Sequence, residues 1–190
     1  MPKVVDHEQY RKELLYKCFD VFACKGYASI TTREIAKELG VSTGTLYYYF
    51  PRKEEMFEQL VEQTSQQYFL MFASELEGKH TLSERFEVLG DFMVKHEDRF
   101  IKEIYLLVDF CQQQGAEAVR KNGALARIRE ASKQSFTNLF EFSDPTLAQF
   151  LLAQIHGLLL KRLLGDSISI PEQIALLGKM LVNFTQKHHE

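Results

Sequence analysis

The chain has 190 residues, of which 45% are hydrophobic and 26% are charged, a composition typical of a globular protein and not of a disordered chain. No apolar run reaches the roughly 20 residues that span a bilayer, and residues 1–8 lack the apolar core of a signal peptide, so we expect a soluble cytoplasmic protein. The net charge of −3 is uneven: residues 1–53 carry nine Lys or Arg against six Asp or Glu, which favours contact with phosphate, whereas residues 54–190 carry fourteen against twenty.

Apolar residues recur at helical spacing along almost the whole chain, which predicts an all-α fold of about nine helices. The first helix is predicted from about Asp6 to Lys25, where Gly26 can adopt the left-handed conformation that ends a helix. Two short helices follow. The later helices are predicted at about 52–77, from 81, at 98–113, 117–142 and 144–164, and from 171.

The two short helices are joined by a tight turn. Thr31 and Glu34 form a capping box that begins the second helix, and Ser42 caps the third. Gly40 permits the turn between them, and Pro51 ends the third helix. Two short helices joined in this way, with a helix on either side, form the helix-turn-helix arrangement, which places its second short helix in the major groove of DNA.

The composition of the third helix fits contact with DNA. Its first turn offers hydroxyl and backbone N–H groups to phosphates or base edges. Gly44 would cost a helix interior about 1 kcal/mol relative to alanine, so it indicates close approach of the backbone to DNA. The consecutive Tyr47, Tyr48 and Tyr49 cannot all point into a core. Lys53 opposes the dipole of the helix that it begins, and a bound phosphate would offset that cost.

In these residues the sequence resembles the TetR family of repressors. The resemblance implies an all-α homodimer on a palindromic operator, with a helix-turn-helix DNA-binding domain at residues 1–52 and a helical ligand-binding and dimerisation domain at 53–190. Two positions depart from the family pattern, Tyr49 where histidine is common and Arg52 where a small capping residue is common. The matching residues are Phe22, Gly26, Tyr27, Ile30, Thr31, Thr32, Ile35, Ala36, Leu39, Gly40, Val41, Ser42, Gly44, Leu46, Tyr47, Phe50, Lys53 and Met56.

The resemblance assigns DNA contacts by motif position, with Lys53 on phosphate. The residue pattern adds Ser42 and Tyr49 to this interface. A simple helical corner is the alternative interpretation, but it explains only the apolar positions of the segment. The residues assigned to DNA by the resemblance are Thr32, Arg33, Thr43, Gly44, Thr45, Tyr47, Tyr48 and Lys53.

Two apolar stripes near the end of the chain predict a dimer interface, because the last two long helices of the family pair with their copies as a four-helix bundle. The alternative is that the same residues pack inside the chain's own core. Gly157 and Gly178 could let helices approach closely. The predicted interface residues are Leu151, Ile155, Leu158, Leu159, Ile174, Leu177, Leu181 and Phe184.

The middle helices contain aromatic residues that could line a site for a small apolar or amphipathic ligand, although a phenylalanine at helical spacing more often belongs to a core. The sequence contains no nucleophile–base pair, phosphate loop or metal-ligand spacing, and its three cysteines lack a C-x-x-C pattern. We therefore expect no enzyme, cofactor or metal site. The candidate ligand-binding residues are Phe69, Phe92, His96, Tyr105, Asp109, Gln112 and Phe136.

These observations predict a ligand-responsive repressor that binds a palindromic operator as a homodimer through the helix at about residues 43–49. Such a protein would associate with the nucleoid when bound to DNA and would have no membrane partner. The alternatives are an activator, a nucleoid-associated DNA-binding protein without an inducer, or a protein-interaction module that uses the tyrosine-rich helix. Salt separates the last alternative from DNA binding, because affinity that depends on phosphate contacts falls steeply with salt.

Overall fold

The computed structural model describes residues 6–187, with side chains to residue 184, and within this range the chain forms ten α-helices and no strand. The all-α prediction is confirmed. No helix in this range is long and apolar enough to cross a bilayer, and residues 1–5 of the N-terminal segment considered above lie outside it. The helices are α1 His7–Lys25, α2 Thr32–Leu39, α3 Thr43–Tyr49, α4 Lys53–Glu75, α5 Leu82–Lys95, α6 Glu97–Gln114, α7 Ala116–Lys121, α8 Gly123–Leu139, α9 Pro145–Leu163 and α10 Ile170–Lys187.

Several helices begin where their caps were predicted. The Thr31 hydroxyl accepts a hydrogen bond from the Glu34 N–H, while the Glu34 carboxylate accepts one from the Thr31 N–H at 2.8 Å. Thr81 and Glu84 form the same capping box before α5. Asp144 accepts from the backbone N–H two residues later and begins α9. These bonds satisfy N–H groups that have no partner inside a helix, which is why the sequence alone locates them.

The single helix predicted at 117–142 was wrong, because α7 and α8 are separate helices. Asn122 between them is extended, with φ −70° and ψ 110°. Its Oδ1 accepts from the Leu125 N–H at 2.9 Å, and its Nδ2 donates to the Glu58 carboxylate. Asn122 therefore caps α8, and α8 ends at Leu139. This break raises the count from the expected nine helices to ten in the described range.

The described residues divide into two compact units. The first unit comprises the chain up to Gln67 together with Tyr105–Arg129, and the second comprises Tyr68–Ile104 together with the chain from Glu130. Helices α4, α6 and α8 each have residues in both units. The predicted boundary between a DNA-binding domain at 1–52 and a ligand-binding and dimerisation domain at 53–190 concerns function. The two compact units do not test that boundary.

An aromatic cluster forms the centre of the first unit. The Phe57 and Phe110 rings stack with centroids 4.6 Å apart, and the Tyr27 ring lies 4.9 Å from each of them. Phe22 meets Phe57 edge-on at 5.8 Å. Contacts of this kind stabilise a fold beyond the area that they bury. The cluster joins α1, α4 and the second half of α6 beneath the two short helices.

The second unit has a core rich in phenylalanine, in which α5 packs closely on α10. Phe86 on α5 is almost completely buried, and it faces Gly178 on α10. A Cβ atom at Gly178 would lie 2.8 Å from the Phe86 Cβ and Cγ atoms. The glycine is therefore what permits this helix contact, as its sequence position suggested.

We predict that Gly178→Ala lowers the free energy of unfolding by about 1–3 kcal/mol, because overpacking forces neighbouring atoms to shift. Urea denaturation of the purified protein measures the change. The matched control is Gly123→Ala, whose Cβ would lie 3.6 Å from the end of the flexible Arg127 side chain and should cause no loss. Equal stabilities of the two variants would contradict the packing argument.

Candidate functional site

The turn between α2 and α3 fixes the angle of the helix-turn-helix. Gly40 adopts the left-handed conformation, with φ 69° and ψ 29°. Its N–H donates to the Lys37 carbonyl at 3.1 Å, and the Val41 N–H donates to the Ala36 carbonyl at 3.0 Å. This pair of bonds is the Schellman motif, which satisfies the last carbonyls of a helix. The path of the chain from α2 into α3 is thereby set by local bonds.

Helix α3 is capped at its start and anchored on one side. The Ser42 hydroxyl accepts from the Thr45 N–H at 2.9 Å and is bonded to the Thr45 hydroxyl at 2.8 Å. Leu46 and Phe50 are fully buried in the core of the first unit. Because these two residues hold one face of the helix inward, its opposite face is turned to solvent.

The three consecutive tyrosines point in different directions, as predicted. Tyr47 is 48% exposed and Tyr48 is 70% exposed. Tyr49 is half-buried, its hydroxyl is bonded to His7 Nδ1 at 2.7 Å, and its ring meets Tyr10 edge-on at 5.5 Å. Tyr47 and Tyr48 are therefore available to a partner, whereas Tyr49 packs against α1 and stays only a predicted DNA contact.

Gly44 lies on the exposed side of α3. A Cβ atom there would be 3.7 Å from the Ser42 hydroxyl oxygen, an ordinary van der Waals distance. The packing shown by the structure therefore does not require glycine at this position. Arg33 on α2 is also exposed, while Thr32 and Thr43 are half-buried. Close approach of the Gly44 backbone to DNA stays a prediction.

Lys53 has a structural role that the sequence did not predict. Its ammonium donates to the carbonyls of Tyr27 and Ile30 at 2.8 and 2.9 Å and lies 4.4 Å from the centre of the Tyr27 ring. Burial lowers the pKa of this ammonium. The unfavourable interaction expected between the Lys53 charge and the dipole of α4 is thus offset by the two backbone carbonyls. A contact between Lys53 and phosphate stays a prediction. Arg52, beside it, pairs with Glu54 and Glu55.

The candidate ligand-binding residues fall into both units. Phe92 and Phe136 are buried in the core of the second unit, where Phe69 and His96 are half-buried. The other three, Tyr105, Asp109 and Gln112, belong to the first unit, where Tyr105 and Gln112 are exposed.

Asp109 has a partner of its own in the first unit. Its Oδ2 accepts from the Ala28 N–H at 3.0 Å in the loop after α1. The contact therefore stabilises this loop, and a ligand-binding role for Asp109 stays a prediction.

The second unit contains a group of rings that the sequence did not single out together. Tyr68, Phe92, His96 and Phe100 contact one another in every pairing, with centroids 4.6–6.3 Å apart. Three residues after Phe100, Glu103 Oε1 is out of solvent contact, as is His96 Nε2, and neither has a hydrogen-bond partner among the described residues. The sequence feature that could have identified this group is Glu103, a carboxylate within the apolar stripe of α6.

The predicted dimer residues lie mainly inside the chain's own core, as the alternative interpretation allowed. Leu158 is half-buried, and Phe184 is 49% exposed. Other apolar residues of this region are exposed, among them Leu164 just after α9 at 78% and Met180 on α10 at 58%. The buried members of the predicted set are Leu151, Ile155, Leu159, Ile174, Leu177 and Leu181.

The described side chains contain no group of three His, Cys, Asp or Glu residues placed to hold a metal ion. The geometry instead offers two features: an exposed face on α3 in the first unit, and a polar, aromatic group in the core of the second.

Comparison with known proteins shows what the N-terminal part of the chain is similar to. The family described as "Bacterial regulatory proteins, tetR family" matches residues 14–60. The nucleoid occlusion factor SlmA of Aliivibrio fischeri (strain MJ11) is 36% identical over 75 residues, which are 40% of this chain and 38% of that protein. The match therefore spans well under half of this relative's length.

Solved structures match over nearly the whole chain. A transcriptional regulator from Rhodococcus sp. Rha1 superposes with a TM-score of 0.71 and 21% identity, covering 91% of this chain and 96% of that one. The multidrug binding protein EbrR, complexed with imidazole, gives a TM-score of 0.66 and 22% identity, covering 90% and 93%. These similarities show a shared fold.

We predict that Lys53→Met lowers the free energy of unfolding by about 1–2 kcal/mol, because the Tyr27 and Ile30 carbonyls lose a charged donor. Chemical denaturation measures this loss. Lys17→Met, which removes an exposed ammonium from α1, is the matched control and should change stability by less than about 0.5 kcal/mol. An unchanged midpoint for Lys53→Met would show that the ammonium does not hold the loop.

Proposed function

The chain is a member of the TetR family of bacterial regulatory proteins, and we propose that it is a transcriptional repressor that binds operator DNA as a homodimer and releases it when a ligand binds. The exposed face of α3 carries this proposal, since Tyr47, Tyr48 and Gly44 lie open on a helix whose other face Leu46 holds in the core. The family consists of regulators, which agrees with the expectation that the chain is not an enzyme.

On DNA, α3 would enter the major groove. Tyr47 and Tyr48 would offer hydroxyl groups to phosphates or base edges, and Gly44 would let the backbone come close. Arg33 on α2, which is exposed, would reach phosphate. The excess of positive charge in residues 1–53 supports the approach to DNA electrostatically.

The dimer would use the apolar residues that the chain's own core leaves exposed. Leu176, Met180 and Phe184 recur every four residues on α10, and all three are about half exposed. Leu160 on α9 and Leu164 just after it are also exposed. A Cβ added at Gly157, one turn before Leu160, would meet no neighbouring side chain within 4 Å in the described chain. An exposed stripe of this kind favours pairing with a second copy. Such a dimer would present two α3 helices to the two halves of a palindrome.

Ligand response would arise from linkage between the second unit and the DNA-binding face. A ligand that favours one arrangement of the dimer shifts operator affinity by its coupling free energy, typically about 1–3 kcal/mol. EbrR, which shares the fold, is a multidrug binding protein crystallised with imidazole, and this supports a small-molecule site. Helix α4 has residues in both units, which favours it as the coupling element.

A nucleoid-associated role without an inducer is the second candidate. The relative SlmA is a nucleoid occlusion factor, and it is 36% identical to this chain over 75 residues. Both candidates use α3, so they differ in sequence specificity and ligand response and not in the contact surface.

We predict that selection from random duplex DNA at two salt concentrations recovers a palindromic site whose affinity falls steeply with salt. Tyr48→Ala should weaken binding to this site at least about ten-fold, in the range of one lost specific contact. Gly44→Ala should also weaken it while leaving stability equal or higher, because alanine fits the fold and suits a helix better.

Tyr16→Ala removes an exposed tyrosine from α1 and serves as the control that should retain affinity. Weak binding to every sequence would favour the nucleoid-associated role. No binding at low salt would overturn DNA recognition and favour the protein-interaction alternative.

We predict that Leu176→Glu and Met180→Glu convert the dimer to a monomer in sedimentation velocity runs, because a buried unpaired charge opposes association. Val94→Glu introduces the same charge at an exposed apolar position of α5 and should leave the dimer intact. If both α10 variants remain dimeric, the exposed stripe is not the interface.

A further inference from the structure

Two polar side chains at and near the start of α6 have an atom out of solvent contact. His96, Phe100 and Glu103 are spaced by four and three residues, so they share one side of the helix and its cap. Phe100 packs against the second-unit core. His96 Nε2 and Glu103 Oε1 are both out of solvent contact without a hydrogen-bond partner in the described range, although the Glu103 side chain as a whole is 31% exposed. Buried polar atoms normally have hydrogen-bond partners, so this pair indicates a ligand.

The surroundings of these atoms favour a positive charge. Tyr68, Phe92 and Phe100, with the His96 ring, form a mutually contacting aromatic group. The faces of such rings carry negative potential and attract an ammonium ion, most strongly where water is excluded. Glu103, three residues after Phe100 on the same side of α6, would supply the countercharge.

The protonation of Glu103 matches a site for a cation. Burial raises the pKa of its carboxyl to about 8, while the nearby Arg99 lowers it by less. Arg99 Nε lies 3.9 Å from Glu103 Oε1, which is beyond hydrogen-bond distance. The other charged groups near His96 are Lys95 and Glu75, which pair with each other at 2.6 Å. Near pH 7 the carboxyl is therefore mainly protonated, and a bound cation would favour its ionised form.

We propose that Glu103, His96 and the rings of Tyr68, Phe92 and Phe100 bind an organic ammonium ion. On binding, the Glu103 carboxyl releases its proton to solvent and forms an ion pair with the ligand. We further expect that an ammonium ion bound at this site changes the affinity of the protein for its operator. This regulatory role rests on the proposed function.

The test uses the full chain and three ammonium ions of increasing size that carry N–H donors, which are methylammonium, 2-hydroxyethylammonium and benzylammonium. Titration calorimetry in two buffers of different ionisation enthalpy measures affinity and proton release together. At least one cation should bind and release close to one proton per chain at pH 7, because a group with a pKa of about 8 is about nine-tenths protonated there. The neutral analogues of the last two, ethylene glycol and benzyl alcohol, replace the ammonium group by a hydroxyl of similar size and should bind at least about ten-fold more weakly.

Glu103→Gln keeps the shape of the side chain and should lower cation affinity at least about ten-fold while abolishing proton release. Glu87→Gln makes the same change at an exposed position of α5 and should alter neither. Thermal unfolding of both variants checks that they fold. Failure of all three cations to bind, equal binding of the neutral analogues, or unchanged proton release in Glu103→Gln would each overturn the site.

Operator affinity measured with and without the bound cation separates this inference from the proposed function. A fall in operator affinity supports both. Binding with proton release but constant operator affinity would retain the ammonium site and overturn its role as the response site. A neutral or anionic compound that releases operator, when no ammonium ion binds, would overturn the site and leave the repressor proposal standing.

Discussion

The ammonium of Lys53 connects the loop after α1 to the start of α4, and the placement of α3 follows from this connection. It donates to the carbonyl of Ile30, the residue immediately before the Thr31 cap of α2. Since the Gly40 turn fixes α3 on α2, holding this loop also holds the exposed face of α3. The Tyr27 ring below the ammonium offsets part of its desolvation cost.

Polar groups have different environments in the two units. In the first unit, Lys53 and Asp109 both reach backbone partners in the loop after α1, so their charges stabilise the fold. In the second unit, Glu103 Oε1 and His96 Nε2 reach no hydrogen-bond partner within the described range. A buried polar atom without a hydrogen bond destabilises a fold, and Arg99 Nε comes no closer than 3.9 Å to Glu103 Oε1. This difference in hydrogen bonding is the basis of the proposed ligand site.

The two C-terminal helices show how one apolar pattern can serve two surfaces. Ile174, Leu177 and Leu181 give a regular stripe on α10, yet they are buried in the chain's own core. Leu176 and Met180 form a second stripe on the same helix that stays exposed. Periodicity identifies both stripes but does not show which of them is buried in the chain's own core, because burial depends on which neighbouring helix covers each face.

The sequence by itself determined the features that depend on bonds between residues a few positions apart. The caps at Thr31, Thr81 and Asp144 and the turn at Gly40 are local, and with them the all-α fold and the helix-turn-helix could be predicted. Only the tertiary structure decided the features that depend on distant partners. These are the break at Asn122, where Glu58 binds the side chain, the inward turn of Tyr49 toward His7, the carbonyl partners of Lys53 and the burial of the Glu103 carboxyl oxygen. Each joins residues far apart in sequence or depends on what covers a helix face, and neither spacing nor propensity encodes such information.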